Sequence, residues 1–274
     1  MLSFPNCKIN LGLYVTRKRD DGYHDLETVF YPLPAASGLN DVLEVVPAEV
    51  TDLHLSGLSV TGNTTDNLVW KAYEILKTKY PDKVPPLDIY LHKTLPMGAG
   101  LGGGSADGAF MLKLLNDFCG LSLNTGELIA LALQLGSDCP FFIHNRPQFA
   151  TGRGELMNDI SVDLSAYSLQ LICPQVHVST GAAFSLITPR QAAFDLRLLP
   201  SLPVMQWKEH IGNDFEAPVF QQYPVLADIK EQLYRQGAIF ASMSGSGSAI
   251  FGIFPKNQKA EIKTDVVYDG FYVE

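Results

Sequence analysis

Pro96-Met97-Gly98-Ala99-Gly100-Leu101-Gly102-Gly103-Gly104-Ser105 is the stretch on which the fold of this chain turns. Five of the seven positions from 98 to 104 are glycine. The backbone there carries almost no Cβ atoms, so successive amide N–H groups are free to turn toward one concave point. Such a nest at the start of a helix binds phosphate through backbone donors and the positive end of the helix dipole. A run over about residues 106–119 follows, with Ala109, Phe110, Leu112, Leu114, Leu115 and Phe118 apolar and Gly120 as the stop. The spacing therefore predicts that the loop opens a helix. Upstream, Leu87, Ile89 and Leu91 alternate with Asp88, Tyr90 and His92, the period of a half-buried strand. Strand, glycine loop and helix in that order favour a nucleotide phosphate as ligand. A turn chosen for tight packing alone would need one or two glycines.

The remaining chain mixes strands and helices without strict alternation. Ile9, Leu11, Leu13 and Val15 alternate with Lys8, Asn10, Gly12, Tyr14 and Thr16, which gives a first strand with one apolar and one polar face. Asp21-Gly22 suggests its return, and residues 41–46 another strand. Asp66 is placed as the N-cap of a helix through Leu68, Val69, Ala72, Ile75 and Leu76, stopped by Pro81. Asn124 and Glu127 have capping-box spacing for a helix ending at Leu135, before Gly136. Residues 169–173 form a strand, and Pro224 starts a helix through Leu226, Ile229 and Leu233 with Gly237 as its stop. Residues 238–243 and 249–254 flank Ser244-Gly245-Ser246-Gly247-Ser248, a hairpin-like turn. The mixture predicts an α+β protein. A length of 274 residues suggests two domains, 1–152 and 153–274, divided near Gly152-Arg153-Gly154.

Composition narrows the partners. The formal charge is −9 and the only basic run is Arg17-Lys18-Arg19. That run sits beside Asp20-Asp21-Gly22 and reads as a solvated hairpin tip, so neither nucleic acid nor an anionic membrane is expected. The four cysteines, Cys7, Cys119, Cys139 and Cys173, are scattered and form no C-x-x-C pair. Reduced thiols in a cytoplasmic protein are the expectation. The six histidines show no metal-ligand spacing, no run nears 18 apolar residues, and residues 1–8 lack a signal-peptide core.

Three patterns compete for the glycine loop. Gly98-x-Gly100-x-x-Gly103 fits the dinucleotide fingerprint, but the acidic residue expected about 20 positions on falls in Leu123-Asn124-Thr125-Gly126-Glu127, a helix start. Gly98-x-x-x-x-Gly103 nearly fits the P-loop, but Gly104 stands where its lysine must be. The third, Pro-x-Gly-x-Gly-Leu-Gly-Gly-Gly-Ser, fits at every position and resembles the phosphate loop of the GHMP kinase superfamily. Pro5-Asn6-Cys7-Lys8-Ile9-Asn10-Leu11, Arg19-Asp20-Asp21-Gly22-Tyr23-His24, Asp66-Asn67-Leu68, Leu135-Gly136-Ser137-Asp138-Cys139-Pro140, Val178-Ser179-Thr180 and residues 244–248 extend the resemblance over most of the chain. The match departs at Cys7, where the superfamily usually has alanine, and at Ser105-Ala106-Asp107, which replaces a Ser-Ser-Asn. Residues 156–235 match weakly outside 178–184 and Asn213-Asp214-Phe215-Glu216.

The resemblance implies a two-domain GHMP kinase fold with the active site in the cleft between domains, and ATP with Mg2+ as phosphoryl donor. Pro96, Met97, Gly98, Ala99, Gly100, Leu101, Gly102, Gly103, Gly104, Ser105 and Ala106 would hold its phosphates, Ser105 keeping a hydroxyl that would face phosphate or Mg2+. Asn67 and Leu68 would line the adenine pocket. Asp138 would be the catalytic base and Lys8 its partner, although each residue alone also reads as structural, a turn aspartate and a strand lysine. The branch most resembled acts on a cytidine-diphosphate-linked methylerythritol. Asn10, Tyr23, His24, Thr180 and Phe184 would bind that substrate, with Phe184 stacking on the base. No protein side chain is assigned to a metal, and the chain would be a monomer or weak homodimer. Rival readings are a mevalonate or homoserine type of kinase, a non-catalytic nucleotide-binding protein, and a dinucleotide-dependent oxidoreductase.

Overall fold

The computed structural model describes residues 1–34, 38–60 and 62–273. In chain order the strands are β1 (Leu2–Ser3), β2 (Lys8–Lys18), β3 (His24–Pro32), β4 (Val42–Pro47), β5 (Asp52–Gly57), β6 (Leu87–Lys93), β7 (Gln148–Thr151), β8 (Leu156–Asp159), β9 (Tyr167–Pro174), β10 (Phe240–Met243), β11 (Ile250–Pro255) and β12 (Tyr268–Val273). The helices are α1 (Leu68–Lys79), α2 (Gly103–Phe118), α3 (Thr125–Leu135), α4 (Cys139–His144), α5 (Thr180–Ser185), α6 (Trp207–His210), α7 (Glu216–Gln222) and α8 (Pro224–Arg235). They gather into two compact units, the first made of Met1–Cys7, Leu33–Pro96 and Gly102–Arg146, the second of Lys8–Pro32, Met97–Leu101 and Pro147–Glu274.

The first unit holds a sheet of order β1-β4-β6-β5, in which only the β5–β6 pair is parallel. On β6 the alternation expected from sequence is realised: Leu87, Ile89, Leu91 and Lys93 are buried while Tyr90 and His92 are exposed. Helix α2 is central among the helices, packing against α1, α3 and α4. The N-cap of α1 is Asn67, whose side chain accepts from the Val69 amide, and Asp66 ends a 3-10 turn just before it. The expected cap is thus displaced by one residue, because either side chain offers an acceptor and Asn67 is the one with extended backbone. The Asn124/Glu127 capping box forms with both of its hydrogen bonds.

The second unit holds two antiparallel sheets, β2-β3-β7-β8 and β10-β11-β9-β12. Helix α8 lies against β10 and β11, burying Leu226, Ile229 and Leu233 in a core shared with Phe215, Met243, Ile250 and Phe254. Gly152-Arg153-Gly154 lies within the second compact unit. It turns the β7–β8 hairpin, where Thr151 faces Leu156, and the Glu155 carboxylate accepts from the Arg153 amide. A cluster of glycines marks a tight turn and a linker equally well, and here the pairing of Gln148 with Asp159 decides for the turn. Because residues 8–32 pair with the strand that begins at Gln148, the compact units interleave along the chain and differ from the linear halves 1–152 and 153–274. Arg17-Lys18-Arg19 does lie at a hairpin tip, Arg17 bonded to Asp25 at 2.6 Å and Arg19 to Asp21 at 2.9 Å.

Lys93, the last inward residue of β6, is an exception to the apolar face. Its ammonium lies between the carboxyls of Asp41 and Asp107, the latter at 2.6 Å, and the three side chains are at most 5 % exposed. Burial works against the ammonium, yet Asp107 and Asp41 together raise its pKa above the ordinary value. Burial pushes the Asp107 carboxyl up to about 8, with Lys93 opposing and Asp41 reinforcing the shift. A carboxyl with a raised pKa favours folding below its unfolded value of about 4, and that contribution is lost as pH climbs toward 8. Asp107→Asn cannot ionise. Its melting temperature relative to the parent is therefore expected to rise by about 3 °C or more between pH 5 and pH 8.5, measured by thermal melts across that range.

Candidate active site

Within the second unit, the loop segment Met97–Leu101 is shaped by its carbonyls. The Gly100 carbonyl accepts from Lys8 Nζ at 2.8 Å and from Ser244 Oγ at 2.9 Å. The neighbouring carbonyls are also engaged, Ala99 with the Ala249 amide and Leu101 with the Lys8 amide, each at 3.0 Å. Acceptors that would repel an anion are thus spent on the protein. Gly100 is also in the left-handed region, φ +80°, and a Cβ there would lie 2.0 Å from the Ser244 carbonyl oxygen. Only glycine fits such an approach.

Lys8 is 3 % exposed and shares the inward polar face of β2 with Asn10. A chain of hydrogen bonds sets the direction of every partner. The Thr28 hydroxyl donates to the Gly12 carbonyl at 2.6 Å, so its oxygen accepts from Asn10 Nδ2 at 2.8 Å. The Asn10 amide oxygen is left to accept from Lys8 Nζ at 2.7 Å. The ammonium also lies 5.2 Å from the centre of the Phe30 ring.

The rest of the loop opens α2 in the first unit. Gly102 stands at the N-cap with φ +73° and no side-chain cap. The amides of Gly103, Gly104 and Ser105 begin a 16-residue helix and have no carbonyl one turn back to bond. They carry the positive end of its dipole. A Cβ at Gly104 would meet nothing within 4 Å. Donors, dipole and open space therefore fit a phosphate group. The Ser105 side chain hydrogen-bonds the thiol of Cys139, the first residue of α4, and burial pushes that thiol up to about 12. Asp138 precedes it at the N-cap position, half-buried, where the chain leaves α3 at Gly136 and turns into α4. Phe141, Phe142 and Ile143 bury α4 against α2 and α3, so the expected base is carried on a rigid mount next to the helix that the loop starts.

The residues expected around a base and its ribose are distributed likewise. In the first unit Asn67 caps α1 and Leu68 packs against Gly108 of α2. In the second, the rings of His24 and Phe184 stack with centroids 4.9 Å apart and 17° between their planes. Phe184 also meets Phe215 edge-on at 4.8 Å. Tyr23 is 56 % exposed, with the Arg153 guanidinium 4.8 Å from its ring centre. A base between His24 and Phe184 would need centroids roughly 7 Å apart, so the two rings as they stand make one platform. Thr180 opens α5, and its hydroxyl lies 3.0 Å from that of Ser246. Two residues outside the expected set complete the arrangement. Ser244 backs the loop, and Asn213 donates to the carbonyls of Met243 and Gly245, both at 2.8 Å, while its own oxygen accepts from the Phe215 amide. Both stand in motifs visible in sequence, where the glycine-serine run signals only a turn and Asn213 signals nothing local.

A model of the GHMP kinases N terminal domain matches residues 67–146, and one of the GHMP kinases C terminal region matches residues 202–272. The chain belongs to the GHMP kinase family. As a GHMP kinase it uses ATP as phosphoryl donor, and the dinucleotide and P-loop patterns in its loop are coincidental. It is 51 % identical over 256 residues to the 4-diphosphocytidyl-2-C-methyl-D-erythritol kinase of Parabacteroides distasonis, a match covering 93 % of this chain and 92 % of that protein. It is similar to a crystal structure of 4-(cytidine 5'-diphospho)-2C-methyl-D-erythritol kinase, at TM-score 0.74 and 31 % identity, covering 92 % of this chain and 90 % of the other. Methanococcus jannaschii mevalonate kinase shares the fold alone, at TM-score 0.70 and 12 % identity over 100 % of this chain and 98 % of its own. Within the glycine loop, Gly100 is the position most sensitive to an added side chain. Gly100→Ala is expected to cost about 2 kcal/mol or more in stability and to raise the KM for ATP over tenfold, measured by urea unfolding and steady-state kinetics.

Proposed function

We propose that this GHMP kinase transfers the γ-phosphoryl group of ATP to the 2-hydroxyl of 4-diphosphocytidyl-2-C-methyl-D-erythritol, a step in non-mevalonate isoprenoid precursor synthesis. The observation that carries the proposal is the buried Lys8 ammonium bonded to the Gly100 carbonyl, which puts a cation on the phosphate loop itself. The likeness to kinases named for that substrate supplies the acceptor. Residues 96–106 hold the triphosphate through main-chain donors, with Asn67 and Leu68 beside the adenine. Asp138 takes the proton of the acceptor hydroxyl. A carboxylate is a weak base for an alcohol, and a loose transition state, in which the proton leaves late, makes that sufficient. Lys8 steadies the charge on the carboxylate and on the moving phosphoryl group.

Mg2+ enters with the nucleotide in this proposal. Among the described residues no group of three His, Cys, Asp or Glu side chains is arranged to hold a metal ion. Mg2+ bound mainly by phosphate oxygens and water needs no such cage, so the donor set fits a nucleotide-borne ion. When bound it would neutralise phosphate charge. Asn10, Tyr23, His24, Thr180 and Phe184 form the substrate side, the stacked His24–Phe184 platform serving as the surface for cytosine. Among the described residues no helix is long and apolar enough to cross a membrane. The four scattered cysteines, with no C-x-x-C pair, are in keeping with a cytoplasmic enzyme, acting as a monomer or weak homodimer.

ADP release should be rapid with the cytidylylated methylerythritol and near background with mevalonate or homoserine; comparable rates on all three would defeat the assignment. Asp138→Asn should lower turnover by roughly a thousandfold while changing the Kd for ATP by less than about threefold. Turnover within tenfold of the parent would remove Asp138 from the role of base. Phe184→Ala should raise the KM for the acceptor about tenfold and leave the KM for ATP unchanged. An unchanged acceptor KM would return Phe184 to the ordinary core.

A further inference from the structure

The buried cluster of Asp41, Lys93 and Asp107 has no part in the transfer just described, yet its bonds converge on the two ends of the glycine loop. Asp41 Oδ1 accepts from the amides of Thr94 and Leu95, at 2.6 and 2.9 Å, the residues that lead into Pro96. Its other oxygen bonds Lys93 Nζ. The same ammonium donates to Asp107 Oδ2 at 2.6 Å, in the second turn of α2, just after the loop ends. A Cβ on Gly103 would come within 3.4 Å of Leu95 Cβ and 3.6 Å of Lys93 Nζ, so the start of α2 rests directly on the cluster. Thr94 is fixed a second time by its hydroxyl, which donates to the Asn40 carbonyl at 2.6 Å.

We propose that Lys93, clasped between Asp41 and Asp107, is a positioning residue that sets the span of the glycine loop for the triphosphate. The need for one follows from the loop's composition. Glycines lose more conformational freedom on ordering than any other residue, and a loop with free ends would have to be ordered by ATP itself, at the expense of affinity. Fixing both ends in advance removes most of that loss. A buried ion cluster suits the task because its geometry has one good solution, whereas apolar packing tolerates small slides. Lys93 is 2 % exposed, so it acts through the loop and not on the nucleotide. Asn has the shape of Asp107 and can accept from Lys93 while donating to Asp41.

The proposal depends on ATP as donor but not on which alcohol accepts the phosphoryl group. Its first readout is therefore the Kd for ATP, by titration calorimetry without acceptor, for Lys93→Met, Asp107→Ala and Asp107→Asn. Lys93→Met should weaken ATP binding at least tenfold and Asp107→Ala about fivefold, while Asp107→Asn stays within twofold of the parent. With acceptor present, the KM for ATP should follow the same order and the KM for the acceptor should move less than twofold. Circular dichroism establishes that each variant is folded. If Lys93→Met is unfolded, the Asp107 pair decides. Folded Lys93→Met or Asp107→Ala with unchanged ATP affinity overturns the proposal, as does an equal rise in both KM values or a failure of Asn to rescue.

Discussion

The carbonyl oxygen of Gly100 accepts two hydrogen bonds, from Lys8 Nζ and from Ser244 Oγ, and the arrangement of the phosphate loop depends on that shared acceptor. One carbonyl ties together the first strand of the second unit, the turn between β10 and β11, and a loop segment poor in side chains. The close approach at Ser244 demands glycine at position 100, while Ala99 and Leu101 on either side bury their side chains. Main-chain bonds add to that packing, since Ala99 and Leu101 are bonded through their carbonyls as well.

Two buried lysines serve the same loop by different chemistry. Lys8 meets amide-type oxygens, those of Asn10 and Gly100, in a chain whose direction the Thr28 hydroxyl fixes. Lys93 meets two carboxyls at the far ends of the loop. A cation held between carboxyls is largely neutralised, which suits a residue that holds the scaffold.

Much of this was legible in the sequence because it is local. The alternation at 87–93, the capping box at Asn124 and Glu127, the helix after the glycine loop and the turn at 244–248 each follow from residues close together in the chain. The interleaving of the two units was not, because the pairing of β3 with β7 joins residues more than a hundred apart and leaves no periodic trace. Nor was the direct stack of His24 on Phe184, which depends on where Phe215 packs. Lys93 did leave a signal. It continues the inward series of Leu87, Ile89 and Leu91, and a lysine on that face requires an anionic partner somewhere. What the series could not supply was the partners' names, since Asp41 and Asp107 lie on separate elements.

The surroundings of Ser105 bear on how the phosphoryl group moves. A hydroxyl and a thiol, Ser105 and Cys139, lie together at the start of α2 and could in principle accept it before passing it on. The thiol is a poor candidate, because burial raises its pKa to about 12 and leaves almost no thiolate at neutral pH. The Ser105 hydroxyl hydrogen-bonds that thiol, and a neutral thiol is too weak a base to activate it. The Cys139 thiol thus supplies neither a nucleophile nor a base for a covalent relay. In the proposed reaction the half-buried Asp138, one residue before Cys139, takes the proton directly from the acceptor alcohol, with no phosphorylated intermediate.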